Sequence, residues 1–340
     1  MNTSMTRSLR LVGALVLSAA GVASLVASGG GGSGGSSVPY LAITSGNAFE
    51  VSSAVLKAIG LSLDLGEASG GPVTLQSDTS PAAAGFLLRR ALRLPPRLRM
   101  QALSAQPMAA VGPVELPCDY LGTMTISGNV ANPDALAVGD RITAVFDGCD
   151  DNLGYVLDGR LALVVRSLQG DPLTDVFLLG LDLTLTSLRV TEDNQVYSAD
   201  GAFTLTLDNL DFPLTVLQLA GSRLTLTEGV EIYTLTGFDH RLEIDLGIIP
   251  EAIVAEVDGR FVSDVLGGKV DYVTTVPVRA TGDNDPELGE FLITGDLNST
   301  VRVNIVDSNS IRLDVDETGD GVVDAFVDTS WAELTGNVPP

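Results

Sequence analysis

The sequence predicts a mainly β fold: a large antiparallel β-sheet, formed as a curved sheet, a sandwich or an open barrel, with a small N-terminal helical region. Three observations predict it. From Glu115 onward apolar residues alternate with Thr, Asp or Glu, which is the period of strands with one buried and one wet face. Turn signals separate these runs at short intervals, as in a sandwich or barrel. No helical pattern intervenes that could serve as a parallel crossover.

The elements follow in chain order. Residues 1–28 read as a secretory signal: Arg7 and Arg10 are followed by Leu11 to Ala27 without a charge, and Val26 and Ser28 stand at the −3 and −1 positions of a cut before Gly29. Residues 29–39 are a tether, opening on a Gly/Ser run from Gly29 to Ser37 that has nothing to pack. Residues 40–114 are partly helical. Asn47 can cap a helix carrying Val51, Val55, Leu56 and Ile59, with Gly60 as its stop. A second helical stretch is expected from Pro81 to the Pro95-Pro96 pair, which cannot continue it. Residues 79–114 hold Arg89, Arg90, Arg93, Arg97 and Arg99 and no acid, so docking of this segment on carboxylates of the sheet is the simplest expectation.

Residues 115–335 form the β domain, with about twelve to fourteen strands. Leu161 to Val165, Leu181 to Leu185, Phe203 to Leu207 and Leu242 to Leu246 alternate most clearly. The two cysteines, Cys118 and Cys149, bracket a hairpin whose turn runs through Asn132-Pro133-Asp134, so they should face each other as a disulfide across its open end. Closing that loop stabilises by roughly 3–4 kcal/mol in the chain-entropy model. In two similar segments the apolar set moves from odd to even positions, across Ser187 and across Asn209, and each shift predicts a β-bulge. Asp158-Gly159, Asp200-Gly201 and Asp258-Gly259 recur in matching contexts, each predicted to introduce a strand as a turn or Gly-type bulge.

Composition bounds function. The net charge is −24, and −26 without the first 28 residues, which disfavours nucleic acid and anionic lipid and leaves membrane contact doubtful. Such a surface attracts divalent cations or cationic partners. The only histidine, His240, stands beside Arg241 and is expected on the solvent face, with no nucleophile elbow near it. One histidine and two paired cysteines leave no set for zinc, and one Trp with six Tyr gives little surface for stacking sugars. No catalytic residue is predicted. Calcium is the one cofactor with a sequence signal: Asp316, Thr318, Asp320 and Asp324 occupy donor positions 1, 3, 5 and 9 of an EF-type loop with Gly321 at position 6. Position 12 is Val327, and a Gly-Asp-Gly hairpin explains the same residues without an ion.

Leu25-Val26-Ala27-Ser28 followed by the tether resembles bacterial lipoproteins, with Ser28 where the lipidated Cys would stand. Together with the Asn47-Ala48 helix, the Cys118…Cys149 hairpin, the Asp158-Gly159-Arg160-Leu161 strand and the C-terminal Gly319-Asp320-Gly321 and Ser330-Trp331, the chain resembles uncharacterised exported proteins of Gram-negative bacteria. The resemblance implies export to the periplasm or cell surface and a β-rich fold, and brings no activity. The expectation is a non-enzymatic envelope protein, structural or binding a protein, glycan or lipid through a broad sheet surface. A calcium-stabilised adhesin-like module and a lipid-carrying periplasmic protein are the alternatives.

Overall fold

Among the described residues fourteen strands follow one another along the chain, and each pairs antiparallel with the next. They are β1 (Ala109–Pro117), β2 (Leu121–Val130), β3 (Arg141–Asp150), β4 (Tyr155–Gly170), β5 (Phe177–Glu192), β6 (Gln195–Asp208) and β7 (Leu214–Glu228), then β8 (Glu231–Asp245), β9 (Ala252–Ser263), β10 (Gly268–Thr281), β11 (Leu288–Thr294), β12 (Thr300–Ile305), β13 (Ile311–Asp316) and β14 (Ala325–Thr329). Spatial order equals sequence order in one sheet that does not close, so β1 and β14 are its edges. Of the three predicted forms, the curved or open single sheet is the one adopted. The computed structural model describes residues 38–67, 109–118, 120–131, 136–150, 155–172, 176–192, 195–282 and 284–334. The expected signal, most of the expected tether, the expected second helical stretch, the Arg89–Arg99 segment and the turn through Pro133 lie outside them.

Alternation sets the two faces. Leu181, Leu183 and Leu185 are buried while Asp182, Thr184 and Thr186 turn outward, and the same pattern joins the inner faces of the strands into one apolar cluster. No described helix is long and apolar enough to cross a membrane. Cys118 and Cys149 are bonded, with Cα atoms 5.5 Å apart, at the open end of the β2–β3 hairpin.

Helix α1 (Ala48–Glu67) lies on the inner face against β7, β8, β9, β12 and β13, and touches the short α2 (Trp331–Leu334). Val51, Val55, Ile59 and Leu63 are buried, each side chain contributing about 1.5–3 kcal/mol. Gly60 does not stop the helix: it is buried inside it, and docking of Ser62 and Leu63 on the sheet overrides a propensity cost of about 1 kcal/mol. Asn47 does not cap with its side chain, which turns back to accept from Thr44 N–H (2.8 Å) and to donate to Ala42 C=O (3.0 Å). The segment before α1 is stitched to distant strands. Leu41 N–H donates to Lys269 C=O (2.9 Å), Ile43 N–H to Ser299 Oγ (2.9 Å) and Ser45 N–H to Glu317 Oε1 (2.6 Å).

A line of irregularities crosses the strands and creases the sheet. Ser187 is one of them, with φ 46° and a register shift between Leu185 and Leu188, so the bulge expected there is present. Asn209 is not a bulge. β6 ends at Asp208, and the even-numbered apolar residues that suggested one lead to a half-exposed Phe212 in the connection to β7. The three Asp-Gly pairs lie inside β4, β6 and β9 instead of introducing them, at register shifts against a neighbouring strand. At Gly159 (φ 99°) a Cβ would lie 2.1 Å from the Ser187 carbonyl oxygen, so only glycine admits the bulged neighbour.

Candidate functional site

The crease contains two versions of one device. On β3 the extra residues Asp147-Gly148 oppose Asp158, and Gly148 N–H donates to Asp158 Oδ1 (2.8 Å). On β5 Thr186-Ser187 oppose Asp200, and Ser187 N–H donates to Asp200 Oδ1 (2.7 Å). Each carboxylate thus satisfies the amide that a bulge pushes out of the ladder. On β8 the extra residues are Gly237-Phe238, but they oppose Gly259, and Asp258 pairs directly with Asp239. A carboxylate therefore faces Asp258 where a bulge amide faces Asp158 and Asp200. Asp239 is held by Gln218, whose amide nitrogen donates to both carboxylate oxygens (2.8 and 2.9 Å). Burial and the Asp239 charge together raise the pKa of the Asp258 carboxyl above the ordinary Asp range.

This third unit opens into a polar depression of about 500 Å³ lined by Thr236, Asp258, Arg260, Asp271, Tyr272 and Val273. One wall is preorganised. Arg260 Nε donates to Asp271 Oδ1 (2.7 Å) and a terminal guanidinium nitrogen donates to Tyr40 Oη (2.7 Å), while the Tyr40 hydroxyl donates to Asp271 Oδ2 (2.8 Å). Lys269 Nζ sits 4.5 Å from the centre of the Tyr40 ring. The hydrogen bond to Asp271 raises the pKa of Tyr40 and that of Arg260, so both stay protonated at neutral pH. Arg260 and Asp271 neutralise each other, while Asp239 and Asp258 set carboxylate against carboxylate across the ladder.

Tyr272, which lines the depression, is buried and continues a polar chain inward. His240 is fully buried, not on the solvent face as expected from Arg241 beside it. Its even number is that of Leu242, which faces the core. Ser62 Oγ lies 2.7 Å from His240 Nδ1, and Tyr272 Oη lies 2.7 Å from His240 Nε2. Burial drives the His240 pKa down to about 3. A Ser–His pair at this distance resembles half of a catalytic triad, but both groups are 0% exposed and the Ser62 hydroxyl donates to Ile59 C=O (2.7 Å), so the pair joins α1 to the sheet.

Asp316, Thr318, Asp320 and Asp324 lie at the end of β13 and in its connection to β14, flanked by strands and not helices. Asp316 accepts Gly319 N–H and Gly321 N–H (both 2.7 Å), Asp320 accepts Val322 N–H (2.9 Å), and Asp324 accepts Glu317 N–H (2.9 Å). The carboxylates face the amides of their own turn. Among the described residues no group of three or more His, Cys, Asp or Glu side chains is placed to hold a metal ion.

Sequence reasoning missed Asp258, Arg260, Asp271, Tyr40 and Tyr272 as a group, because strand register brings them together. Comparison with protein-family models, with curated proteins and with solved structures finds no match to this chain.

Proposed function

We propose that the chain is a non-enzymatic, partner-binding protein of the cell envelope that engages a cationic side chain of its partner at the Asp258 depression. One observation carries the reading: of three Asp-Gly carboxylates on the crease, Asp258 is the one that faces another carboxylate in place of a bulge amide. An ammonium or guanidinium seated there offsets the Asp239–Asp258 repulsion, while the Arg260–Asp271–Tyr40 wall gives it a rigid edge. The sheet's interior is occupied by a continuous apolar cluster, which favours contact through the wet face over lipid carriage. The disulfide Cys118–Cys149 fits an oxidising compartment.

The test is titration of the full chain with a short lysine peptide and its norleucine counterpart at physiological salt. The lysine peptide is expected to bind at least tenfold more weakly to Asp258→Asn and unchanged to Asp328→Asn, an exposed acid on β14. Equal weakening by both variants, or none by Asp258→Asn, would mean that only the overall negative charge attracts the peptide.

A further inference from the structure

Beneath the depression, three side chains from three elements form one continuous hydrogen-bonded chain: Tyr272 on β10, His240 on β8 and Ser62 on α1. One proton order satisfies all three side chains. The Ser62 hydroxyl gives its proton to Ile59 C=O (2.7 Å), so Ser62 Oγ can only accept from the ring. In that order His240 carries its proton on Nδ1, and Nε2 accepts from the Tyr272 hydroxyl. The neutral imidazole thereby satisfies every donor and acceptor in the chain.

An imidazolium disturbs that order and places a charge in the core. A second N–H, on Nε2, would meet the Tyr272 hydroxyl and force that proton to turn away. No described carboxylate contacts the ring to balance the charge. On α1 the charge of Lys57 is held by Glu228 (2.7 Å) and Glu231 (3.0 Å). On β8, Asp239 and Arg241 project to the opposite face, as do Gln218 on β7, Asp258 on β9 and Asp271 on β10. The ring's other neighbours are Phe238 and Tyr272, with centroids 5.4 and 5.8 Å away, and Leu219 is its partner across the ladder.

We infer that this chain is an acid-sensitive latch: it holds the Ile59–Leu63 end of α1 on the sheet at neutral pH and releases it when His240 is protonated. The sign follows from linkage. Burial keeps the docked ring neutral down to about pH 3, whereas a solvated ring titrates near pH 6.5. The docked state thus keeps its full advantage above about pH 6.5 and loses it progressively as pH falls from there toward 3. At pH 4.5 the ratio of released to docked seam is expected to rise about 100-fold over its neutral value, the two pH units separating 4.5 from the solvated pKa. The inference does not depend on what occupies the outer depression.

Hydrogen exchange of the Ile59–Leu63 amides in the full chain, corrected for intrinsic rates, reads the opening directly. Wild type should show the rise of about 100-fold between pH 7.5 and 4.5. His240→Gln, which keeps a donor and an acceptor but cannot titrate, should lose most of it. Lys57→Met, which cuts the other polar tie of α1, should open the seam at both pH values while keeping their ratio. A His240→Gln chain with the wild-type acid response would overturn the latch. If that variant does not fold, the ring nitrogen NMR shifts of wild type decide: Nδ1–H imidazole persisting to pH 4 supports the latch, and titration near 6.5 in the native state refutes it.

Discussion

The crease presents the same dipeptide in two settings. At Asp158-Gly159 and Asp200-Gly201 the carboxylate is part of the backbone's own hydrogen bonding, accepting the amide of Gly148 or Ser187. At Asp258-Gly259 the neighbouring bulge opposes the glycine instead of the aspartate, and Asp258 faces Asp239 beside a depression. A shift in cross-strand register turns a structural carboxylate into a chemically available one. Residue type does not separate the two roles; which atom lies across the ladder does.

Three substitutions and one titration would sharpen or break this contrast. The largest effect is expected at Gly159→Ala, where a Cβ would approach a carbonyl oxygen at 2.1 Å and φ is 99°. Thermal or denaturant unfolding should show a loss of roughly 3 kcal/mol, and a loss under 0.5 kcal/mol would show that the crease yields easily. Next, Asp158→Ala leaves the Gly148 amide without its charged acceptor and should cost about 1.5–2 kcal/mol. Asp258→Ala should change stability by no more than about 0.5 kcal/mol, because a mutual repulsion is removed with the side chain. Equal costs at the two positions would erase the distinction. The smallest effect is a titration. The Asp258 carboxyl carbon should show an NMR midpoint above the ordinary Asp range, and Asp239→Asn should lower it. A folded pKa raised in this way means that Asp258 favours the native state at low pH and that this contribution is lost as pH rises through the folded value.

Much of the architecture was legible because it rests on short-range pattern. Alternation located the strands, and the Ser187 parity change located a true bulge. The cysteine spacing about Pro133 and Asp134 located the disulfide. The same parity rule misled at Asn209, since a strand end and a bulge leave one trace in sequence, and only the partner strand distinguishes them. His240 is different. Its parity with Leu242 already pointed inward, and the charge of Arg241 beside it outweighed that signal wrongly. Ser62 and Tyr272 carried no signal, because a hydroxyl on a helix face becomes a partner only once the helix is docked. Asp316, Asp320 and Asp324 match donor positions by spacing alone, which does not reveal that amides of the same turn donate to them. Register, the property that makes Asp258 differ from Asp158, joins segments through long-range pairing and is absent from any local window.

Neighbour-by-neighbour order of the strands also sets a timetable. Each strand pairs with the one made just before it, so the sheet can grow by local zipping as synthesis proceeds, the connectivity that favours rapid folding. The helix is the exception: α1 is made before any described strand, yet its seats on β7, β8, β9, β12 and β13 come only after β1–β6. The first described element is therefore among the last to be placed. Until then the apolar side of the growing sheet beneath α1 stands open, and the interval before the helix closes over it is when the chain is most vulnerable to associating with its own copies.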